Sequence, residues 1–175
     1  MSLILSVNLG LSKNCAYLKK FLIIASIIPL SILNNFLLEN HFDETAKYVA
    51  ESDSYYDSGE ELIVLGGLTV PAADKIFIKY CYSLGLSYEV DIEVLSFLHE
   101  LGHGETLHIA TEEDELNRDL TIMLCNLLGV EDEEDFMMYF TTPIEAMATE
   151  WAVNFCNENI EKVKELERKM LCIMD

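Results

Sequence analysis

The pattern of apolar and polar positions separates an apolar N-terminal stretch from a series of shorter elements. An apolar run covers residues 21–38 and follows three lysines. Residues 1–40 are therefore predicted to be an apolar helical segment, and residues 41–175 the main domain. A membrane anchor and a cleaved signal peptide are alternative interpretations of this run. Pro29 and several polar residues interrupt it, which favours buried helices packed on the main domain.

Beyond residue 40, short segments with turn residues between them indicate strands. Residues 41–61 are polar and are predicted to form a loop. Residues 61–70 are predicted to form a strand, or two strands around a glycine turn. Residues 75–82 are predicted to form a second strand, with a short helix as the alternative. Residues 136–141 are predicted to be a short strand or an extended approach to the last helix.

Three later segments have the apolar spacing of amphipathic helices. Asp91 is a good N-cap for the first, and Gly102 and Gly104 are expected to end it. The second follows Thr111, which is again a capping residue. The third has proline at its first position and is expected to span residues 143–170. His99 and His103, in the first of these segments, therefore lie on a capped, amphipathic helix.

Charge limits the classes of partner. The chain has 11 basic and 31 acidic residues, for a net charge of −20. Such a chain repels phosphate backbones, so sequence-independent nucleic-acid binding is not expected, and anionic membrane surfaces are disfavoured. A basic protein partner or a bound cation is compatible with this charge.

The five cysteines indicate a reducing compartment. They are scattered along the chain, and no two form a Cys-x-x-Cys pair. A thiolate zinc knuckle and a thioredoxin-type redox site are therefore not expected. Single cysteines on apolar segments are typical of small buried side chains in a cytoplasmic protein, with membrane anchoring through residues 21–38 as the alternative.

One motif carries most of the predicted chemistry. His99 and His103 are four residues apart, so on a helix both imidazoles project from one face and can bind the same metal ion. Two imidazoles at this spacing suit Zn²⁺. Glu100 follows the first histidine, where it can act as general base on water activated by the metal and pass the proton to a leaving amine. The alternative is a pair of histidines on an ordinary helix.

A catalytic zinc site needs a third protein ligand. Glu145 is the preferred candidate, because the small residues Ala148 and Ala152 on the same face allow its helix to approach another backbone. Thr149 also lies on that face and could hydrogen-bond a ligand. The alternative for Glu145 is a capping box with Thr142, in which the carboxylate bonds back to the N-cap amide. Weaker candidates for the third ligand are Glu105, His108, Glu112 and Glu150.

Together, the two motifs resemble those of a known group of enzymes. The pattern His99-Glu-Leu-Gly-His103, followed by Glu145-x-x-Ala-Thr149-x-Trp-Ala, resembles zincin metallopeptidases with a glutamate as third ligand. It is most similar to the regulatory peptidases of phages and mobile elements that cleave immunity repressors. Thr149 departs from that family, which usually has Asp or Asn there. The resemblance covers residues 60–160, and only the two short motifs are specific.

The resemblance implies an α+β, zincin-like fold, with a small sheet beside the metal-binding helix and a peptide substrate along the sheet edge. It implies His99, His103 and Glu145 as zinc ligands and Glu100 as general base. Tyr139, just before the glutamate helix, could donate a hydrogen bond to an oxyanion. The expected partner is a protein or peptide substrate. A non-catalytic binding module that keeps the same fold is the alternative function.

Overall fold

The chain folds as an α+β protein. The computed structural model describes residues 30–49, 54–66, 71–128 and 133–171 of the 175 in the chain. Within these residues lie seven α-helices, a short 3-10 helix and one three-stranded sheet. In chain order the elements are α1 (residues 30–39), β1 (Thr45–Val49), β2 (Tyr55–Asp57), β3 (Leu62–Gly66), α2 (Pro71–Ser83), α3 (Ile92–Thr106), the 3-10 helix (Leu107–Ile109), α4 (Glu112–Leu128), α5 (Glu133–Phe140), α6 (Pro143–Glu158) and α7 (Ile160–Leu171).

The sheet is small and mixed. Its strand order is β1-β3-β2, with β1 parallel and β2 antiparallel to the central strand. The predicted strand at residues 61–70 is confirmed for Leu62–Gly66, whereas residues 67–70 lie outside the described part of the chain. The predicted loop over residues 41–61 is wrong in part, since it contains β1 and β2. Ile63 and Val64 of the central strand are fully buried, which explains why only this strand is conspicuously apolar.

A side-chain amide from α1 closes the outer edge of β1. Asn34 Oδ1 accepts a hydrogen bond from the Ala46 amide at 2.8 Å, and its Nδ2 donates to the Ala46 carbonyl at 3.0 Å. The same Nδ2 donates to the Leu30 carbonyl within the helix at 2.9 Å. One asparagine therefore occupies both backbone groups of Ala46 and ties α1 to the sheet.

The second strand predicted at residues 75–82 is a helix. Pro71 is the first residue of α2, a position where its missing amide hydrogen costs nothing. The helix buries Ile76, Phe77, Tyr80 and Cys81, which are spaced at helical period. An apolar segment of eight residues does not by itself separate strand from helix, and tertiary packing decides the outcome.

Two further boundaries differ from the sequence-based expectation. Residues 136–141 do not form a strand, because residues up to Phe140 belong to α5. The long last helix is broken at Asn159, whose amide bonds to the Phe155 carbonyl at 2.9 Å and whose carbonyl accepts from the Lys162 amide at 2.9 Å. Asn159 therefore ends α6 and begins α7, so the C-terminal part forms a separate helix.

The core unites α1 with the later helices. Leu33, Phe36 and Leu37 of α1 are buried in the same apolar cluster as the inward faces of α3, α6 and α7. The Phe36 ring meets the Phe97 ring edge-on, with centroids 6.0 Å apart. No helix in the described ranges has both the length and the apolar character needed to cross a bilayer. Residues 1–29, and with them half of the run at 21–38, lie outside the described residues, so the boundary at residue 40 stays a prediction.

Candidate metal centre

Helix α3 carries the histidine pair through the centre of the molecule. The predicted cap is confirmed, since Asp91 Oδ1 accepts a hydrogen bond from the Glu93 amide at 2.9 Å. The expected end at Gly102 and Gly104 is wrong, because the helix continues to Thr106. Both glycines have close neighbours where a side chain would be. Tertiary packing, and not helix termination, therefore explains the two glycines.

Gly102 allows α6 to lie directly against α3. A Cβ atom at this position would stand 3.1 Å from both Cα and C of Ala148 and closer still to its carbonyl oxygen. Ala148 itself is fully buried. The expectation that small residues let the glutamate helix approach another backbone is confirmed at this contact. The approach brings Glu145, one turn before Ala148, level with the histidines.

Three side chains from two helices converge in the interior. Glu145 Oε2 lies 3.1 Å from His99 Nε2 and 3.3 Å from His103 Nε2. The two imidazole rings face each other edge-on with centroids 4.7 Å apart. All three residues are buried, with 6%, 8% and 2% of the surface of His99, His103 and Glu145 exposed. Among the described residues this is the cluster able to hold a metal ion.

The capping alternative for Glu145 does not hold. Thr142 is the N-cap residue of α6, but its side chain makes no capping hydrogen bond. Its hydroxyl donates instead to the Tyr139 carbonyl at 2.8 Å. Glu145 is thus placed by the helix start but directs its carboxylate at the two histidines.

Thr149 fixes the tautomer of one histidine. Its hydroxyl donates to the Glu145 carbonyl at 2.7 Å and lies 3.1 Å from Nδ1 of His99. A hydroxyl has one hydrogen, so towards His99 the Thr149 oxygen acts as acceptor and Nδ1 carries the proton. The lone pair of Nε2 is then directed at Glu145. Hydrogen bonds of this kind orient metal-binding imidazoles in proteins, so Thr149 is placed to orient His99 in this way.

The arrangement of lone pairs favours a cation. Nε2 of His99 and Oε2 of Glu145 are both acceptors in these states, and each needs a positive partner between them. Two ligand atoms at 2.0–2.1 Å from a tetrahedral ion lie about 3.3 Å from each other. The separations of 3.1 Å and 3.3 Å match that value. The donor set therefore fits a divalent ion bound by two imidazoles and one carboxylate.

The pKa shifts in the cluster come from the attraction between the Glu145 carboxylate and the two imidazoles. Burial would lower the pKa of His99, but its hydrogen bond with Glu145 and the charges of Glu100 and Glu145 raise it. Burial would raise the pKa of Glu145, yet when protons take the place of a cation, hydrogen bonds from His103 and His99, and their charges, hold it well below its ordinary value. The Glu145 carboxylate is therefore ionised, and its negative charge favours a proton or a metal cation on the imidazole nitrogens.

Glu100 is buried beside the cluster without being part of it. Burial raises its pKa, the charges of His99 and His103 lower it, and the Glu145 charge raises it, with a net upward shift. A carboxylate with a raised pKa is a stronger base than one in water. Glu100 is thus suited to hold a proton temporarily near the histidine pair.

Tyr139 reaches the same place from α5. Burial raises the pKa of its phenol, and the charge of Glu145 and the hydrogen bond to that carboxylate raise it further. The hydroxyl stays protonated at any ordinary pH and is a donor directed into the site. Arg118 of α4 opposes this shift through its charge, so it too lies near the phenol.

The weaker candidates for a third ligand are not part of the cluster. His108, Glu112 and Glu150 are exposed, and Glu105 is half-buried. The sequence interpretation missed Phe77, whose ring packs edge-on against His99 with centroids 5.1 Å apart. Phe77 lies on α2, in the segment expected to be a strand, so no pattern indicated its contact.

Comparison of the chain with protein-family models, with curated proteins and with solved structures found no match.

Proposed function

We propose that this protein is a zinc-dependent metallopeptidase with a zincin-like fold. The observation that carries the proposal is the convergence of His99, His103 and Glu145, with Glu145 Oε2 3.1 Å and 3.3 Å from the two Nε2 atoms. The motif spacing explains the histidines, and the close contact at Gly102 explains how the distant glutamate arrives. The buried Glu100 beside the cluster supports a hydrolytic site over a purely structural one.

Zinc is the proposed metal because of the donor set. Two neutral imidazoles and one carboxylate are typical of catalytic zinc, which keeps its fourth position for water or substrate. A site for calcium or magnesium would be built from oxygen atoms. When bound, the ion supplies Lewis-acid activation of water and of the scissile carbonyl.

The chain's own residues divide the remaining work. Glu100, whose pKa burial raises, accepts the proton of the attacking water and returns it to the amine that leaves. The Tyr139 hydroxyl, which bonds to the Glu145 carboxylate in the free chain, would turn to donate its hydrogen bond where negative charge develops on the substrate oxygen. Thr149 holds His99 in the tautomer whose Nε2 faces the other ligands. The buried surroundings exclude bulk water and strengthen each of these interactions.

Metal binding is tested first. The full chain, incubated with a chelator and then titrated with Zn²⁺, is expected to bind one ion per molecule. Glu145→Gln is expected to weaken binding at least tenfold, whereas the exposed Glu150→Gln on the same helix serves as the matched control. Equal affinity in both variants would contradict the assignment of Glu145 as a ligand.

Catalysis is tested separately with a library of internally quenched peptides. The zinc-loaded chain is expected to cleave at least one sequence class, and Glu100→Gln is expected to reduce kcat by at least a hundredfold while zinc stays bound. Stoichiometric zinc with no cleavage of any peptide would instead favour a non-catalytic binding module. Unaltered cleavage by Glu100→Gln would overturn the proposed general base.

A further inference from the structure

Helix α4 exposes its apolar face. Leu116, Leu120, Met123 and Leu124 follow helical spacing and therefore share one side of the helix. Their exposed fractions are 57%, 43%, 50% and 44%. We call these four side chains the α4 face. Apolar stripes of this kind normally cover a core, and large exposed ones mark interaction sites.

The opposite side of α4 is polar and faces inward. Asp114, Arg118 and Thr121 are half-buried and follow the same spacing half a turn away from the α4 face. The helix packs on α5 and α6. The usual orientation of an amphipathic helix is thus reversed, so the α4 face is a surface built to be covered by something outside the described core.

We propose that residues 1–29 of this chain bind the α4 face. Of these 29 residues, 18 are apolar, a larger share than the 51% of the whole chain. Apolar surface in water gains free energy when it is buried against other apolar surface. Contact between residues 1–29 and the α4 face would therefore remove apolar surface of both from water.

Charge complementarity favours this occupant. Residues 1–29 carry three lysines and no carboxylate, so all 31 acidic residues lie in the rest of the chain. The first turn of α4 is acidic over the four residues Glu112, Glu113, Asp114 and Glu115. A basic apolar segment placed along α4 meets attractive charge at its start and apolar side chains along its length.

Chain length permits the contact, and charge disfavours a second copy. A segment of 29 residues spans about 43 Å as a helix and up to about 95 Å extended. A folded chain of this size is about 40 Å across, so the segment reaches any part of the surface from residue 30. A second copy would instead bring one acidic α4 helix against another, on two molecules that each have a net charge of −20.

Limited trypsin digestion of the full chain tests the contact. Trypsin cleaves after Lys13, Lys19 and Lys20, and a segment held against α4 is protected at these sites. Leu120→Glu is expected to increase the rate of cleavage there about tenfold, the effect of losing one leucine contact. The matched control is Leu38→Glu, since Leu38 is an exposed leucine on another helix, with 74% of its surface exposed.

The digestion is followed by intact-mass spectrometry, and slow cleavage at the lysines of α7 shows that each variant is folded. Equal rates in wild type and Leu120→Glu would overturn the proposal. Protection that increases with protein concentration would assign the α4 face to a second copy. Protection seen only with phosphatidylcholine–phosphatidylglycerol vesicles would assign residues 1–29 to a membrane. None of these measurements depends on metal or catalysis, so failure here is distinct from failure of the proposed function.

Discussion

Replacement of Gly102 by alanine probes the contact that brings the third ligand to the histidines. The added Cβ would lie 3.1 Å from Cα and C of Ala148 and nearer still to its carbonyl oxygen. All three are backbone atoms, which cannot rotate away as a side chain would. Helix α6 must therefore move back from α3, and Glu145 moves with it.

The magnitude follows from two opposing effects. Overpacking a well-filled interface costs about 1–3 kcal/mol, and contact with backbone belongs at the upper end of that range. Alanine in place of glycine within a helix returns about 1 kcal/mol. We therefore expect Gly102→Ala to lower the free energy of unfolding by about 2 kcal/mol. For a chain of this length that corresponds to a decrease in Tm of about 4–8 °C.

The same displacement acts on metal affinity. A carboxylate shifted by a fraction of an ångström no longer meets both Nε2 atoms at bonding geometry, so zinc affinity is expected to fall about 10- to 100-fold. Calorimetric Tm of the metal-free chain and competition with a chromophoric chelator measure the two effects. Gly104→Ala is the control on the same helix, because its Cβ would meet only side-chain atoms of Glu44 and Tyr56, and the carboxylate can rotate. If Gly102→Ala kept both wild-type Tm and wild-type zinc affinity, the argument from helix contact would be wrong.

Three further predictions concern groups in the site and in the core. Thr149→Val removes the acceptor of the His99 Nδ1 proton and is expected to weaken zinc binding about tenfold or more in the chelator competition, whereas Thr149→Ser retains affinity; equal losses in both would contradict a role for the hydroxyl. Tyr139→Phe is expected to keep zinc affinity within about tenfold but to lower kcat about a hundredfold in the peptide assay, and an unchanged kcat would exclude an oxyanion role. Burial raises the pKa of Cys81 and Cys156 to about 12, so at pH 8 only about one thiol in 10⁴ is ionised, and neither should react with iodoacetamide in the native state. Mass mapping of the alkylated sites checks this, and rapid labelling of either would show that the core opens.

The residues of the site were predictable because their chemistry imposes spacing. His99 and His103 must be four apart to share a face, and the small side chain at Ala148 indicated which helix approaches. The prediction that Gly102 ends the helix was wrong. From sequence alone, a glycine that terminates a helix cannot be distinguished from one that allows another backbone to pack closely. Only the position of Ala148 in space separates the two.

The secondary-structure elements that were predicted incorrectly are short and depend on distant partners. The strands β1 and β2 have five and three residues, and within the described part of the chain each pairs with β3 alone. Their stability comes from that pairing and not from the strand propensity of their residues. The polar, turn-rich sequence of residues 41–61 therefore did not predict them. Conversely, α2 and α5 are brief apolar segments that either period could fit. Burial of Phe77 against His99 favours a helix, and the local sequence contains no trace of that contact.

The amide of Asn34 has a consequence for how copies of this protein behave at high concentration. The outer edge of a sheet is a template on which a foreign strand can add, and from there assemblies can grow. At Ala46 both backbone groups are already taken, by Oδ1 at 2.8 Å and Nδ2 at 3.0 Å. The Asn34 side chain thus takes the place of a neighbouring strand at Ala46. A strand from another molecule could pair with β1 at this residue only after α1 had separated from the sheet.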